Sequence, residues 1–262
     1  MPRIIAITNQ KGGVGKTTTA INLASSLARA KSRVLLVDMD PQGNATVGCG
    51  VPMRELGTTI YEVLLGESSA RNALVETEFG FSLLPAHPDL AGAQVELSEI
   101  DDPERRLQQA LAPLAAGFDI ILVDCAPALN ILTVNALVAA TEVLIPVQCE
   151  YYALEGLTSL LETIDLVTEG LNPELIILGL VRTMYDTRNS LSAEVSAQLS
   201  EHFPDKLFRT VIPRNVRLAE APSYGRPVLE YDRHCTGSQA YLALASEVLR
   251  RDHSAQPGPQ DE

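Results

Sequence analysis

The sequence predicts an α/β fold, with a single doubly wound and mostly parallel sheet flanked by helices. Short, continuous apolar runs recur along the 262 residues, as expected for strands that are buried on both faces. Segments with a helical spacing of apolar residues separate these runs, and such alternation favours a parallel sheet. Since no internal repeat and no long linker interrupts the pattern, we expect one domain rather than two small ones.

The predicted elements follow one another in a regular order. A β-branched run at 3–8 ends in a glycine-rich turn, and residues 17–30 then place Ala20, Leu23, Ala24 and Leu27 on one helical face. Further strands are predicted at 33–38, 118–123, 143–147 and 175–181. Further helices are predicted from Asp102-Pro103, with proline in the first helical position, and at 154–168, 190–202 and 238–250. We expect residues 1–252 to form the domain and the polar, proline-rich residues 253–262 to be a disordered tail.

The composition narrows the possible functional classes. The chain carries a formal charge of −13, and 46% of its residues are hydrophobic. A net acidic protein of this kind is not expected to coat nucleic acid indiscriminately. The four cysteines form no C-x-x-C pair and no zinc spacing, which favours thiols in a reducing compartment. The start has no signal-peptide pattern and no apolar run approaches the ~20 residues of a membrane span, so we expect a cytoplasmic protein without a membrane partner.

A phosphate-binding loop is predicted between the first strand and the first helix. The segment Lys11-Gly12-Gly13-Val14-Gly15-Lys16-Thr17-Thr18 departs from the usual G-x-x-x-x-G-K-[ST] pattern, because Gln10 occupies the first glycine position. Its glycines still let the backbone turn N–H groups towards phosphate oxygens, and the following helix N-terminus favours the same anion. Lys16 would supply charge to the β- and γ-phosphates, and the Thr17 hydroxyl would ligate Mg²⁺. The strand–loop–helix context makes ATP and Mg²⁺ the expected cofactors.

Three carboxylates fall at predicted strand ends. Asp38 and Asp40 end the second strand, and Asp124 ends a later one. In such folds, ligands bind beyond the carboxyl ends of the strands. We expect Asp124 to hold Mg²⁺ directly or through water. Asp40 is the candidate for orienting the attacking water, and it is also counted with Thr17 and Asp124 in the metal site.

Taken together, these residues resemble the ParA/Soj family of partition ATPases, within the MinD/ParA class of P-loop NTPases with a deviant Walker A loop. The resemblance covers nearly the whole chain up to about residue 250 and lies mainly in four blocks. These blocks are Asn9 to Thr18, Asp38 to Asn44, Pro146 to Gly156, and Val211 to Pro222. Since the phosphate loop begins by residue 11, the chain resembles the short, Soj-like form of the family.

The resemblance implies roles at the nucleotide. Lys11 is similar to the signature lysine that reaches across a dimer to the partner's ATP. Gly12 lies where the two loops would face each other, so a side chain there is expected to block the dimer. Asp40 matches the residue needed for hydrolysis, and the family holds the adenine at the positions of Pro213 and Asn215.

The resemblance also implies partners: an ATP-dependent homodimer, non-specific double-stranded DNA and a ParB-like protein, in the cytoplasm at the nucleoid. Arg188 and Arg217 fall near arginines that touch DNA in the family. The segment 182–233 holds eight basic and seven acidic side chains, so it is nearly neutral within an acidic chain. A few arginines per subunit, doubled by dimerisation, would bind backbone phosphates without reading sequence. Alternatively, these arginines form salt bridges on the protein surface.

The chain departs from the family pattern at three places. Asp124-Cys125-Ala126-Pro127 stands where the family has Asp-Cys-Pro-Pro, and Asn130 stands where a glycine is frequent. Near the C-terminus, residues 231–237 differ from the family's run of proline and small or basic residues. Asp124 itself is retained in this chain. The resemblance does not predict which surface contacts residues 231–237 make.

Other functions of the same fold remain as alternatives. A ParA-like ATPase that positions a protein cargo would use the same chemistry. A MinD-like membrane switch would need a basic amphipathic C-terminal helix, whereas the tail after Arg251 has proline, glycine and acids. An electron-transfer ATPase would need two suitably placed cysteines in each chain. A metabolic ligase or synthetase would need a substrate pocket.

Overall fold

The computed structural model describes residues 1–150 and 153–251 and contains one eight-stranded sheet. The strands are β1 (Arg3–Ile7), β2 (Val34–Met39), β3 (Val75–Glu76), β4 (Ser82–Leu84), β5 (Ile120–Cys125), β6 (Glu142–Gln148), β7 (Ile176–Tyr185) and β8 (Leu207–Pro213). Their order across the sheet is β3-β4-β2-β5-β1-β6-β7-β8. All neighbouring strands are parallel except β3 and β4, which are antiparallel. The predicted doubly wound, mostly parallel sheet is confirmed.

Helices cover both faces of this sheet. They are α1 (Lys16–Arg29), α2 (Asn44–Gly48), α3 (Ile60–Leu65), α4 (Ala70–Ala73), α5 (Ala93–Glu96), α6 (Arg106–Leu111), α7 (Ile131–Ala139), α8 (Ala153–Gly170), α9 (Ser190–His202), α10 (Val216–Glu220), α11 (Val228–Tyr231) and α12 (Thr236–Arg250). Short 3₁₀ turns connect several of them. No helix in residues 1–150 and 153–251 combines the length and the apolar character that crossing a bilayer requires.

Two buried apolar layers hold the sheet between the helices. Successive residues of β2 alternate between them: Leu35 and Val37 pack in one layer, while Val34 and Leu36 pack in the other. Every residue of β2 and β5 is buried, as expected for central parallel strands covered on both faces. The helical face predicted for α1, which includes Leu23 and Leu27, packs in the second layer together with α12.

The sequence prediction missed several short or peripheral elements. Strands β3 and β4 have only two and three residues, too few to show a period. The edge strand β8 includes the exposed Arg209, and the continuous apolar run of α7 does not by itself distinguish helix from strand. The helix predicted from Asp102-Pro103 begins as a 3₁₀ turn at Pro103–Arg105 before α6. The division at residue 252 stays a prediction, since the predicted tail at 253–262 lies outside the described residues.

Candidate active site

The glycine-rich loop links the end of β1 to the start of α1 and has the backbone conformation of a phosphate cradle. Gly13 and Gly15 have φ angles of 74° and 89°, which other residues rarely adopt. A Cβ atom added at Gly12 or Gly13 would meet nothing within 4 Å, so the space beside these residues is open. Beneath the loop, the buried Thr183 hydroxyl donates a 2.7 Å hydrogen bond to the carbonyl oxygen of Val14. The loop is thus anchored from below and open above, as an anion site requires.

Lys16 and Asp124 form the charged base of this loop. Lys16 is buried, and its Nζ donates a 3.1 Å hydrogen bond to the carbonyl oxygen of Lys11. Burial lowers the pKa of Lys16, while the neighbouring charges of Asp124 and Asp40 oppose that shift. A buried ammonium whose hydrogen bond goes to a loop carbonyl is well placed to exchange that partner for a phosphate oxygen.

The carboxylate of Asp124 is fully buried at the end of β5. Neither of its oxygens makes a hydrogen bond of acceptable geometry with the described residues. Burial raises the pKa of Asp124 well above its usual range and the charge of Asp38 adds to this, although Thr17 and Lys16 lie close enough to oppose it. A buried carboxylate without a partner is costly, and a divalent cation next to Thr17 would satisfy it. The donor set therefore fits Mg²⁺.

Asp40 and Asp38 face different surroundings although they are two residues apart. Asp40 lies on the wall of the cavity above the loop, and its Oδ1 accepts the N–H of Gln42 at 3.0 Å. Asp38 is fully buried, is absent from the cavity wall and accepts hydrogen bonds from Thr46. Of the three strand-end carboxylates, Asp40 lines the cavity wall, whereas Asp38 and Asp124 do not.

A cavity of about 820 Å³ extends from the loop to the edge of the sheet formed by β8, next to α10. Pro213 and Asn215 lie on that far wall, and the Asn215 side chain caps α10 and donates to Thr236 Oγ1 at 2.8 Å. The cavity thus runs from the glycine loop to the position expected for the adenine. Nine of the predicted site residues line it: Gly12, Gly13, Gly15, Lys16, Thr17, Thr18, Asp40, Pro213 and Asn215.

Lys11 does not line the cavity of its own chain. Its Nζ forms a 2.9 Å ion pair with Glu150, which also accepts a hydrogen bond from the Gln148 side chain. Both members of the pair are partly exposed, at 34% and 47% of their side-chain surface. An exposed ion pair of this kind is weak, typically about 0.2–1 kcal/mol, so Lys11 can be released at little cost.

Arg188 and Arg217 lie outside the cavity, and each is paired with acids of its own chain. Arg188 makes two hydrogen bonds to Asp186, at 2.9 and 2.8 Å. Arg217 lies 2.8 Å from Glu220 and 3.5 Å from Asp232. The hydrogen bonds from the Arg188 guanidinium hold the pKa of Asp186 below its usual range. Both arginines therefore have the salt bridges that the alternative interpretation anticipated.

Comparison with known proteins identifies the family to which the chain belongs. Residues 2–177 match a family described as an AAA domain. The chain is 52% identical over 257 residues to the chromosome partitioning protein ParA of Caulobacter vibrioides, covering 97% of this chain and 96% of that protein. It is 49% identical over 249 residues to the sporulation initiation inhibitor protein Soj of Bacillus subtilis, covering 95% and 98%. The chain belongs to the ParA/Soj family of partition ATPases.

The structural relatives of this ParA/Soj family member include P-loop proteins crystallised with nucleotide. Cobyrinic acid a,c-diamide synthase from Mycobacterium smegmatis, with a bound ATP analog and magnesium, superposes with a TM-score of 0.86 at 38% identity. The match covers 98% of each chain. The same protein was also crystallised with ADP and magnesium. The cofactors expected from the sequence, ATP and Mg²⁺, agree with these ligands.

Three residues next to the site were not identified from the sequence. Thr183 holds the loop from beneath, Thr46 binds Asp38, and Glu150 binds Lys11. Glu150 lies inside one of the four family blocks, which is the only sequence signal that pointed to it. Thr183 and Thr46 act through contacts with residues 169 and 8 positions away, and a single sequence carries no signal for such pairs.

Proposed function

We propose that the chain is an ATP-dependent DNA-partitioning ATPase that hydrolyses ATP to ADP and phosphate. The observation that carries this proposal is the combination of the anchored glycine loop with the buried carboxylate of Asp124, whose oxygens lack a well-formed hydrogen bond within the described residues. The loop and Lys16 would bind the phosphates, and Thr17, Asp124 and Asp40 would provide the surroundings of Mg²⁺. When bound, Mg²⁺ would neutralise charge on the β- and γ-phosphates. Asp40 would orient the attacking water, since its Oδ2 makes no hydrogen bond to the described residues.

The proposed active form is a homodimer assembled around two ATP molecules. Lys11 supports this, because it does not line its own cavity and its ammonium forms a partly exposed ion pair with Glu150. In the dimer it would leave Glu150 and contact the partner's ATP, where it would stabilise charge in the transition state. Gly12 and Gly13 are exposed, so two loops can approach each other closely.

The ATP-bound dimer would bind double-stranded DNA without sequence preference, in the cytoplasm at the nucleoid. Relatives named as chromosome partitioning proteins over nearly the full length support this role. A ParB-like protein would stimulate hydrolysis and so release the DNA. Binding through a few arginines would be weak in one subunit and sensitive to salt.

The proposal is tested by measuring ATP hydrolysis and molecular mass together. We expect wild type to turn over ATP slowly and Asp40→Ala to accumulate as an ATP-bound dimer without turnover. Lys16→Ala should remain a monomer without turnover, and Lys11→Ala should bind ATP without dimerising. A wild-type chain that neither binds nor hydrolyses ATP would overturn the proposal.

A further inference from the structure

Asp38 is a fully buried carboxylate that the proposed chemistry leaves without a role. It lies in β2 beside Asp124 in β5 and is absent from the wall of the cavity. An ionised group in such a place is costly unless several donors surround it. The donors around Asp38 therefore show what a carboxylate at this position binds.

Both oxygens of Asp38 bind the segment that carries Asp40. Oδ1 accepts the backbone N–H of Asp40 at 3.2 Å. Oδ2 accepts the backbone N–H of Thr46 at 2.8 Å and the Thr46 hydroxyl at 2.7 Å. One side chain thus holds both ends of the segment 40–46, which comprises a turn and the start of α2.

Thr46 connects this turn to the neighbouring strand. Its hydroxyl accepts the N–H of Ala86 at 3.0 Å, just after β4. Within the turn, the N–H of Gly43 binds the carbonyl oxygen of Asp40 at 2.8 Å, and Gly43 has a φ of 61°. Residues Asp40, Pro41, Gln42 and Asn44 line the cavity. The wall that faces the nucleotide is therefore fixed from behind by Asp38 and Thr46.

We propose that Asp38 and Thr46 are positioning residues, which hold the carboxylate of Asp40 at the place where it orients the attacking water. This inference rests on the proposed ATPase function. Within the described residues, the Asp40 side chain accepts one hydrogen bond, from the backbone N–H of Gln42. The position of this carboxylate therefore depends on the backbone that carries it. Small displacements of such groups lower rates steeply, by as much as about a hundredfold for 1 Å.

The test compares Thr46→Val, Thr46→Ser and a matched control, Thr59→Val. Thr59 is also a buried threonine that binds a carboxylate, Glu62 at 2.9 Å, but it caps α3 and not the segment that carries Asp40. All three variants and wild type are measured for melting temperature, for affinity to a fluorescent ATP analogue, and for the single-turnover rate of hydrolysis with protein in excess over ATP.

We expect Thr46→Val to lower the hydrolysis rate by about tenfold or more, since the hydroxyl that joins Asp38 to Ala86 is lost. Nucleotide affinity should stay within about threefold of wild type, because the glycine loop is unchanged. Thr46→Ser retains the hydroxyl and should restore the rate to within about twofold. Thr59→Val should lower the melting temperature like Thr46→Val and leave the rate unchanged.

Two results would overturn the inference. One is a Thr46→Val protein that hydrolyses ATP as fast as wild type. The other is a Thr59→Val protein that loses as much rate as Thr46→Val, since the effect would then reflect general loss of stability. A failure of the proposed function is distinct from both, because wild type itself would then show no hydrolysis.

Discussion

The nucleotide cavity and the arginine surface differ in how their charged groups are arranged. At the base of the phosphate loop, Lys16 and Asp124 are buried and their hydrogen bonds are incomplete: within the described residues, the Lys16 ammonium donates to a loop carbonyl, and neither Asp124 oxygen accepts a well-formed hydrogen bond. On the surface, Arg188 and Arg217 are exposed and already paired with acids. The cavity is therefore prepared for ligands of definite charge, whereas the surface must exchange its own ion pairs for DNA phosphates. We expect large effects from changes in the cavity and small, salt-dependent effects from changes at the surface.

The largest effect is expected for Lys16→Ala. Removing the buried ammonium should lower ATP affinity and hydrolysis by about a hundredfold or more, as for other groups that stabilise developing charge. Titration with a fluorescent ATP analogue and a phosphate-release assay measure both quantities. Lys206→Ala, which removes an exposed lysine far along the chain, is the control and should change neither. Equal losses in the two variants would contradict a specific role for Lys16.

Asp124→Asn should separate function from stability. We expect it to abolish Mg²⁺-dependent hydrolysis while stabilising the nucleotide-free protein at neutral pH by about 1 kcal/mol, because it replaces a buried carboxylate whose oxygens lack a well-formed hydrogen bond within the described residues and which the nearby Lys16 offsets only in part. A free Asp ionises near pH 4, and burial raises the pKa of Asp124 in the folded chain. The unfolded chain therefore loses this proton first, and wild type loses stability relative to the variant as the pH rises above about 4.

Urea unfolding of both proteins between about pH 4 and pH 8 measures this difference. The stabilisation by Asp124→Asn should be smallest at the acid end, where Asp124 is protonated, and should grow towards neutral pH. Saturating Mg²⁺ and ATP should reverse the order, since only wild type would gain from the cation. A variant that is less stable than wild type at every pH would contradict the unsatisfied state of Asp124.

A smaller effect is expected for Arg217→Ala. Loss of one phosphate contact per subunit should weaken DNA binding by the ATP-bound dimer by about tenfold at low salt and reduce the salt dependence. ATP hydrolysis should be unchanged, since Arg217 does not line the cavity. Arg33→Ala is the matched control: it removes another exposed arginine paired with an acid, Asp119, at the amino end of β2. Fluorescence anisotropy with a labelled duplex compares them, and equal losses would remove Arg217 from the DNA surface.

The smallest effect is expected for Glu150→Gln. Without the carboxylate charge, Lys11 is released more easily and the ATP-dependent dimer should form at about two- to fivefold lower protein concentration, consistent with a weak exposed pair. Sedimentation of the Asp40→Ala background with ATP measures the dimerisation constant. Glu174→Gln, at another exposed acid, serves as the control. Weaker dimerisation of Glu150→Gln would show instead that Glu150 attracts the partner subunit.

The difference between the two regions also explains what could be predicted from the sequence. The glycine loop is local, so the spacing of Gly13, Gly15 and Lys16 was enough to place it between β1 and α1. Asp124 followed from its position after a continuous apolar strand. By contrast, no role for Asp38 followed from the sequence, because its role depends on contacts with Thr46 and, through Thr46, with Ala86 in another part of the sheet.

The surface was the least predictable part. The sequence supplied the arginines, but which acids pair with them depends on the packing of the loop after β7 and of α10 against α11. The pair of Lys11 with Glu150 likewise joins residues 139 positions apart. Charged side chains on a surface have many possible partners, and composition alone gives only the net charge.

The central claim, an ATP-dependent switch that binds DNA, is tested most directly by DNA binding of Asp40→Ala with ATP and with ADP. Two labelled duplexes of unrelated sequence are titrated at low and moderate salt. The account predicts that both duplexes bind equally with ATP, that neither binds with ADP, and that affinity falls steeply as salt increases. An ATP-bound dimer that leaves both duplexes free even at low salt would contradict the DNA-partitioning role and favour a protein cargo instead.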